Sequence, residues 1–243
     1  MQLKDKAALV TGGSSGIGLG VAQALAREGC RVVICGRDEQ KLRDAVRKSD
    51  GGPPLLARPC DVSDRADVNA LVAWAVEQLG RLDIVVNSAG INVARRKMRE
   101  LDPADFDRIM AVNCTGFYNV LHAVLPGMRE WGDGLIVNIS SIAGKRALSL
   151  AGPGYCASKF AATALGTAVG LEERAGGIRV TNIYPGEVDT PILDQRPEPV
   201  TAEKKARMVH PDDIAACVVT VARLPSHVTV PELVITPTYQ DYA

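Results

Sequence analysis

The stretch Ala7-Ala8-Leu9-Val10-Thr11-Gly12-Gly13-Ser14-Ser15-Gly16-Ile17-Gly18 decides the architecture. Ala7–Val10 reads as a strand without a polar face, and an apolar helical pattern over 16–28 follows almost at once. Between them lies a turn of the form Gly-x-x-x-Gly-x-Gly. Glycines let the backbone approach a bound group closely, and the N-terminus of the following helix offers free N–H groups and the positive end of its dipole. A pyrophosphate suits such a place. The spacing differs from the commoner Gly-x-Gly-x-x-Gly, and a tight connection alone would also explain glycines here. The position directly after the first strand favours the phosphate site.

Working outward, the same alternation repeats along the chain. Further strands are expected at Arg31–Cys35, Leu55–Arg58, Leu82–Val86, Leu135–Ile139, Arg179–Ile183 and Leu233–Ile235. Helical patterns fill 38–48, 64–79, 103–130, 154–175 and 211–223. Apolar strands separated by helices imply an α/β fold, a doubly wound parallel sheet with helices on both faces, forming a single domain over 1–243. Punctuation agrees: Asp64 and Gly80 bracket one helix, and Asp102-Pro103 and Pro211-Asp212-Asp213 start two others. Only 190–207, rich in proline and charge, fits neither period, and a loop of that length is expected to be a substrate-binding loop or lid.

Composition excludes several classes. Of 243 residues, 28 are Lys or Arg and 28 are Asp or Glu, so there is no basic excess to neutralise nucleic acid or an anionic membrane surface. No apolar run reaches membrane-spanning length and no secretory h-region opens the sequence, so the expected location is the cytoplasm. Six scattered cysteines (30, 35, 60, 114, 156 and 217) lack any Cys-x-x-Cys pair and read as free thiols. His122, His210 and His227 stand far apart, and no metal site is expected.

The second strand ends in Gly36-Arg37. A carboxylate at the first of these positions would bind a ribose 2′-OH and repel a 2′-phosphate, and none is present. Arg37 is placed to contact a phosphate instead, which points to NADP with NAD the less favoured choice. Asp38 reads as the N-cap of the next helix. Further on, Tyr155 and Lys159 are four apart and share a helix face. An ammonium about 4 Å from a phenol is worth roughly 4 kcal/mol at an effective dielectric near 20, enough to lower the phenol pKa by up to two or three units, less what burial takes back. Tyr155 is thus a candidate proton donor and acceptor, and Ser141, after the strand Leu135–Ile139, a candidate hydrogen-bond donor to the reacting oxygen.

Taken together, these motifs resemble the short-chain dehydrogenase/reductase family, in its branch of roughly 250-residue chains with TGxxxGxG and YxxxK motifs. Thr11–Gly18 is similar to its cofactor turn, bringing in Gly12, Ser14, Ser15, Gly16, Ile17 and Gly18. Asp61-Val62 looks like the pair that contacts the adenine, and Asn87-Ser88-Ala89-Gly90 like the Asn-Asn-Ala-Gly motif, with Ser88 for its second Asn. Asn113, Ser141, Tyr155 and Lys159 match the catalytic tetrad. Pro185-Gly186-Glu187-Val188-Asp189-Thr190 matches the segment holding the nicotinamide carboxamide, through Pro185, Gly186, Val188 and Thr190.

The resemblance implies a Rossmann-like fold and an NADP(H)-dependent oxidoreductase that interconverts a carbonyl and a secondary alcohol. It makes Tyr155 the acid/base, and Lys159 its activator and a ligand of the nicotinamide ribose. Ser141 would orient the reacting oxygen and Asn113 would hold a relay water, while Ser140 reads simply as a strand-end residue supporting the site. It also implies a homodimer or homotetramer. Asn92 and Glu187 are further candidates for substrate contact in a largely apolar pocket. Three features depart from the family pattern: Ser15 where many NADP-using relatives carry a basic residue, fourteen positions between Ser141 and Tyr155, and Glu232–Thr238 in place of a Val-Asp-Gly-Gly ending. An NAD-dependent alcohol dehydrogenase of the same family and a non-catalytic dinucleotide-binding sensor or scaffold are the alternatives. Both Tyr155 and Lys159 are present, which favours the enzyme.

Overall fold

A computed structural model of the chain describes residues 2–241. Its elements run β1 (Ala7–Thr11), α1 (Gly16–Arg27), β2 (Arg31–Gly36), α2 (Glu39–Lys48), β3 (Leu56–Pro59), α3 (Arg65–Leu79), β4 (Ile84–Asn87) and α4 (Pro103–Met110). They continue with α5 (Gly116–Trp131), β5 (Gly134–Ile139), α6 (Pro153–Glu173), β6 (Ile178–Pro185), α7 (Ala202–Lys205), α8 (Pro211–Arg223) and β7 (Glu232–Ile235). All seven strands are parallel in the order β3-β2-β1-β4-β5-β6-β7, so the winding reverses between β1 and β4. In an open α/β sheet a ligand crevice lies at that reversal, outside the carboxyl ends of the strands.

The double winding follows from the two-residue period of a strand. Ala8 and Val10, Val32 and Ile34, Ile84 and Val86 all enter one core, which α1, α2 and α8 cover. Their neighbours Ala7 and Leu9, Val33 and Cys35, and Val85 enter the other, which α3, α5 and α6 cover. Both faces are dry, so strands without a polar face are required.

Helix ends carry the expected caps. Asp64 accepts from the N–H groups of Ala66 and Asp67, Asp102 from that of Ala104, and Gly80 closes α3 at φ +82°. Two expectations change. The pattern over 103–130 is not one helix, because a π-helical turn at Ala111–Thr115 separates α4 from α5. The segment 190–207 is partly ordered, with a 3₁₀ turn at Pro191–Gln195 and the short α7.

Candidate active site

A cleft of about 1060 Å³ opens over the carboxyl ends of the central strands. Gly12, Ser14, Ser15 and Ile17 form one wall. Gly12 has φ +64°, and a Cβ there would stand 2.9 Å from the Ala89 backbone. Gly16 and Gly18 shape the turn without lining the cleft: Gly16 has φ +53°, and a Cβ on Gly18 would lie 2.4 Å from the Gly12 carbonyl oxygen. Ser15 is the N-cap of α1 but makes no side-chain capping bond, which leaves the first N–H groups of α1 without a side-chain partner there.

At the far end of this wall Gly36 carries no side chain, and a Cβ there would come within 3.1 Å of Ser14 Oγ. Arg37 and Lys41 both line the cleft at this end. Asp38 accepts from the Lys41 N–H at 3.0 Å, the N-cap role expected of it. Asp61 and Val62 line the cleft beyond. Burial pushes the Asp61 carboxyl up, but hydrogen bonds from the Ser63 hydroxyl and N–H outweigh it and hold the pKa below the usual value.

Beneath the cleft runs a buried polar ladder. Thr11 Oγ1 donates to Asn87 Oδ1 at 3.2 Å, Asn87 Nδ2 to Asn138 Oδ1 at 3.1 Å, and Asn138 Nδ2 to Asn182 Oδ1 at 2.9 Å. These four residues face one another in register across β1, β4, β5 and β6. The Asn87 side chain is therefore spent inside the sheet and does not line the cleft. Thr11 Oγ1 also accepts from the N–H groups of Ser88 and Ala89, which fixes the Ala89-Gly90 backbone as cleft wall.

Ser141, Tyr155 and Lys159 meet at the middle of the cleft. Ser141 follows β5 and starts a 3₁₀ turn, its Oγ accepting from the Ala143 N–H at 3.1 Å and hydrogen-bonded to Tyr155. Ser140 instead bonds back to the Lys159 carbonyl and Thr163, the supporting role expected of a strand-end residue. Lys159 is buried; its Nζ donates to the Ile139 carbonyl at 2.9 Å and lies 5.7 Å from the Tyr155 ring centroid. Asn113 does not line the cleft but stands directly behind it. Its Oδ1 accepts from the Ile91 N–H at 2.8 Å, and its Nδ2 donates to Ser158 Oγ and the Ile91 carbonyl. A Cβ on Gly90 would lie 3.4 Å from Lys159 Nζ and 3.6 Å from Asn113 Oδ1, so these two polar atoms flank one point. The π-helical turn is what aims Asn113 there, and such turns recur at functional sites.

One electrostatic expectation is corrected. Helical spacing led us to expect a depressed Tyr155 pKa; instead burial pushes the phenol up to about 12, against the pull of the Ser141 hydrogen bond and the nearby Arg96 charge. Burial also brings Lys159 down to about 8. Desolvation is the leading cause of both shifts.

At the substrate end, Asn92 and Glu187 both line the cleft, and both are already engaged. Asn92 Nδ2 donates to the Ala151 carbonyl at 3.1 Å, tying the wall after β4 to the loop before α6. Glu187 accepts from Arg196 at 2.8 Å, Lys204 at 3.0 Å and the Tyr239 hydroxyl at 2.7 Å. Burial raises its pKa, but those bonds together hold it below the usual carboxylate value. The Glu187 carboxylate thus fastens the 190–207 segment to the cleft floor. Pro185, Gly186, Val188 and Thr190 line that floor, and Gln240 joins it by accepting from the Glu187 N–H at 2.9 Å.

Reasoning from sequence passed over Lys41, Arg96, Asn138, Ser158, Asn182 and Gln240. Of the two ladder asparagines, Asn138 was findable, since it interrupts the apolar run of β5 near its carboxyl end. The others carry no local signal that marks them as cleft residues.

The family profile described as short chain dehydrogenase matches residues 6–200. The chain belongs to the short-chain dehydrogenase/reductase family, oxidoreductases that act on CH–OH groups. It is 35% identical over 242 residues to L-fucose dehydrogenase of Bos taurus, covering 95% of this chain and 88% of that protein. It is 37% identical over 241 residues to glycine betaine reductase ATRR of Emericella nidulans, covering 97% of this chain but spanning only 19% of that relative. Among solved structures, an alcohol dehydrogenase from the archaeon Thermococcus sibiricus, complexed with 5-hydroxy-NADP, superposes with a TM-score of 0.87. That pair is 30% identical, with 97% of this chain and 98% of the other covered.

Proposed function

We propose that the protein is an NADP(H)-dependent oxidoreductase interconverting a carbonyl and a secondary alcohol, with Tyr155 as acid/base. The carrying observation is the meeting of Ser141, Tyr155 and Lys159 in the same cleft as the glycine turn. The residues present fit a dinucleotide. The uncapped N-terminus of α1 suits its pyrophosphate, and the bare Gly90, with Lys159 Nζ beside it, leaves room for a ribose. When bound, the nicotinamide supplies or accepts the hydride. The side chains do the rest. Ser141 donates to the substrate oxygen and Tyr155 passes it a proton. Lys159 and Asn113 Oδ1 hold the water from which that proton is replaced.

Preference for NADP rests on the bare Gly36, on Asp38 being occupied as a cap, and on two cations, Arg37 and Lys41, at that end of the cleft. The Thermococcus structure, with its NADP derivative, supports the same choice. The segment 190–207 serves as substrate lid, strapped down through Glu187. Among the described residues no helix is long and apolar enough to cross a membrane. The six free thiols suit the reducing cytoplasm. Self-association is proposed as well, through the exposed Tyr118, Phe160 and Leu171 of α5 and α6.

Fluorescence titration with NADPH and NADH, on wild type and Arg37→Ala, tests the reading. Loss of a charge-assisted bond worth about 1.5–3 kcal/mol should weaken NADPH roughly 10- to 100-fold while NADH changes far less. Reduction of a carbonyl panel with NADPH follows. Equal affinity for both dinucleotides in wild type would overturn the NADP assignment, and binding of neither would overturn the enzyme.

A further inference from the structure

Arg96 is 7% exposed, and no other arginine among the described residues is so covered. It lines the cleft at the substrate end, in the wall that follows β4. It also abuts the helix that carries Tyr155: a Cβ on Gly152, the N-cap of α6, would stand 2.9 Å from Arg96 Cβ. Its Nε donates to the Val93 carbonyl at 2.7 Å, Nη1 to the Leu150 carbonyl at 3.4 Å, and Nη2 to the Gln195 carbonyl. All three partners are neutral. None of the ion pairs among the described residues includes Arg96, whereas Arg129, Arg196 and Arg223 each have a carboxylate.

Buried charges are ordinarily paired, because a solitary one keeps most of its desolvation cost. The surroundings make this one more conspicuous. Burial draws the Arg96 pKa down, and the neighbouring Arg196 charge draws it further. Arg96, Arg196 and Lys204 stand near the cleft against one carboxylate, Glu187, which is already shared between two of them and Tyr239. A clamp on three loops needs hydrogen-bond donors; it does not need an uncompensated charge. Of the five N–H groups of a guanidinium the loops use three, and one remains on each terminal nitrogen, a pair that suits the two oxygens of a carboxylate.

We propose that Arg96 binds a carboxylate of the substrate, so that the physiological substrates are oxo acids and the matching hydroxy acids. This rests on the carbonyl–alcohol reading above and narrows it. The carboxylate supplies the counter-charge that the folded chain lacks, and places the carbonyl carbon further along the same cleft, toward Ser141 and Tyr155. The pyrophosphate and 2′-phosphate ends of the cofactor site, at α1 and Arg37, belong to other walls of the cleft.

The test compares 3-oxobutanoate, 4-oxopentanoate and 5-oxohexanoate with their methyl esters. Binding is measured calorimetrically on the NADP⁺-loaded protein, where no carbonyl is reduced, and turnover with NADPH. At least one acid should bind about tenfold or more tightly than its ester, and lose that advantage in Arg96→Met, as expected when a charge-assisted bidentate contact is removed. The acid advantage in wild type should also shrink with added salt, a readout that survives if the variant fails to fold. Esters that match their acids at all three lengths would overturn the proposal. So would an Arg96→Met protein that loses NADPH affinity as strongly as acid affinity, since Arg96 would then serve the dinucleotide. Selective acid binding without reduction of any carbonyl would sink the carbonyl–alcohol reading and leave the carboxylate site standing.

Discussion

Lys159 shows at the scale of one residue what the site costs the fold. Its folded pKa of about 8 lies below the ordinary 10.5, so between those values the unfolded chain binds more protons than the folded one. Stability therefore rises with pH across that window, and below about 8 the buried charge is a standing penalty. At about 1.4 kcal/mol per unit the penalty is on the order of 3 kcal/mol, against about 1–2 kcal/mol for the bond to the Ile139 carbonyl. Lys159→Met should accordingly abolish turnover yet raise Tm at pH 7 by a few degrees, at roughly 2–4 °C per kcal/mol for this chain length. The gain should vanish and reverse above pH 10.5, where the lysine is neutral in both states. A thermal melt series from pH 7 to pH 11 decides it, and a lower Tm at pH 7 would contradict the account. The Tyr155–Lys159 spacing was legible in sequence because a helix repeats every 3.6 residues. The burial that governs both pKa values was not, because Ile139 and Gly90, which surround Lys159, come from β5 and the loop after β4.

At the scale of an element, the segment between β6 and α8 is held through Glu187, with Lys205 also 3.9 Å from Asp189. Glu187 joins Arg196 and Lys204 within the segment to Tyr239 near the C-terminus, and Val188 pairs with Val209 beyond it. Because the Glu187 pKa is held below its ordinary 4.5, this contribution is present above that pH and is lost as pH falls through the folded value. Glu187→Gln should release the 190–207 segment, at a cost of about 2–3 kcal/mol for the charge-assisted bonds removed. Limited trypsin digestion reads it directly: cleavage after Lys204, Lys205 and Arg207 should accelerate several-fold at pH 7. Unchanged digestion would mean that the strap is not what orders the segment. Sequence showed a proline- and charge-rich stretch of the wrong period; the anchor was invisible because its partners lie 52 residues apart, from Glu187 to Tyr239. The π-helical turn at Ala111–Thr115 escaped for another reason, since the apolar pattern on either side reads as one continuous helix.

At the scale of the molecule, α6 divides its small and apolar residues between two partners. Ala162, Leu165 and Val169 pack onto the sheet core, whereas Ala157, Phe160, Ala164, Ala168 and Leu171 form an exposed stripe at helical spacing. Phe160 is 43% and Leu171 58% exposed, and Tyr118 on α5 adds 41%. Such a surface belongs at an interface more than in water. Light scattering on the eluting protein should give a dimer or tetramer mass. Phe160→Glu combined with Leu171→Glu should shift it to a smaller species, by burying two uncompensated charges in the interface. A monomeric wild type would remove the interface altogether.

Sequence by itself determined the order of strands and helices, the double winding and the positions of the glycine turn, Ser141, Tyr155 and Lys159. Those features are local, written in periods of two and 3.6, in turn chemistry within a few residues and, for Ser141 over Ser140, in the family motif it resembles. Tertiary structure alone decided which charges are paired and which are not. It joined Thr11, Asn87, Asn138 and Asn182 into one ladder, tied Glu187 to Arg196 and Lys204 of the 190–207 segment, and buried Arg96 beside the start of α6 without a counter-ion. The physical reason is distance along the chain: desolvation and ion pairing depend on what the fold brings within a few ångströms, and a local pattern does not carry that information.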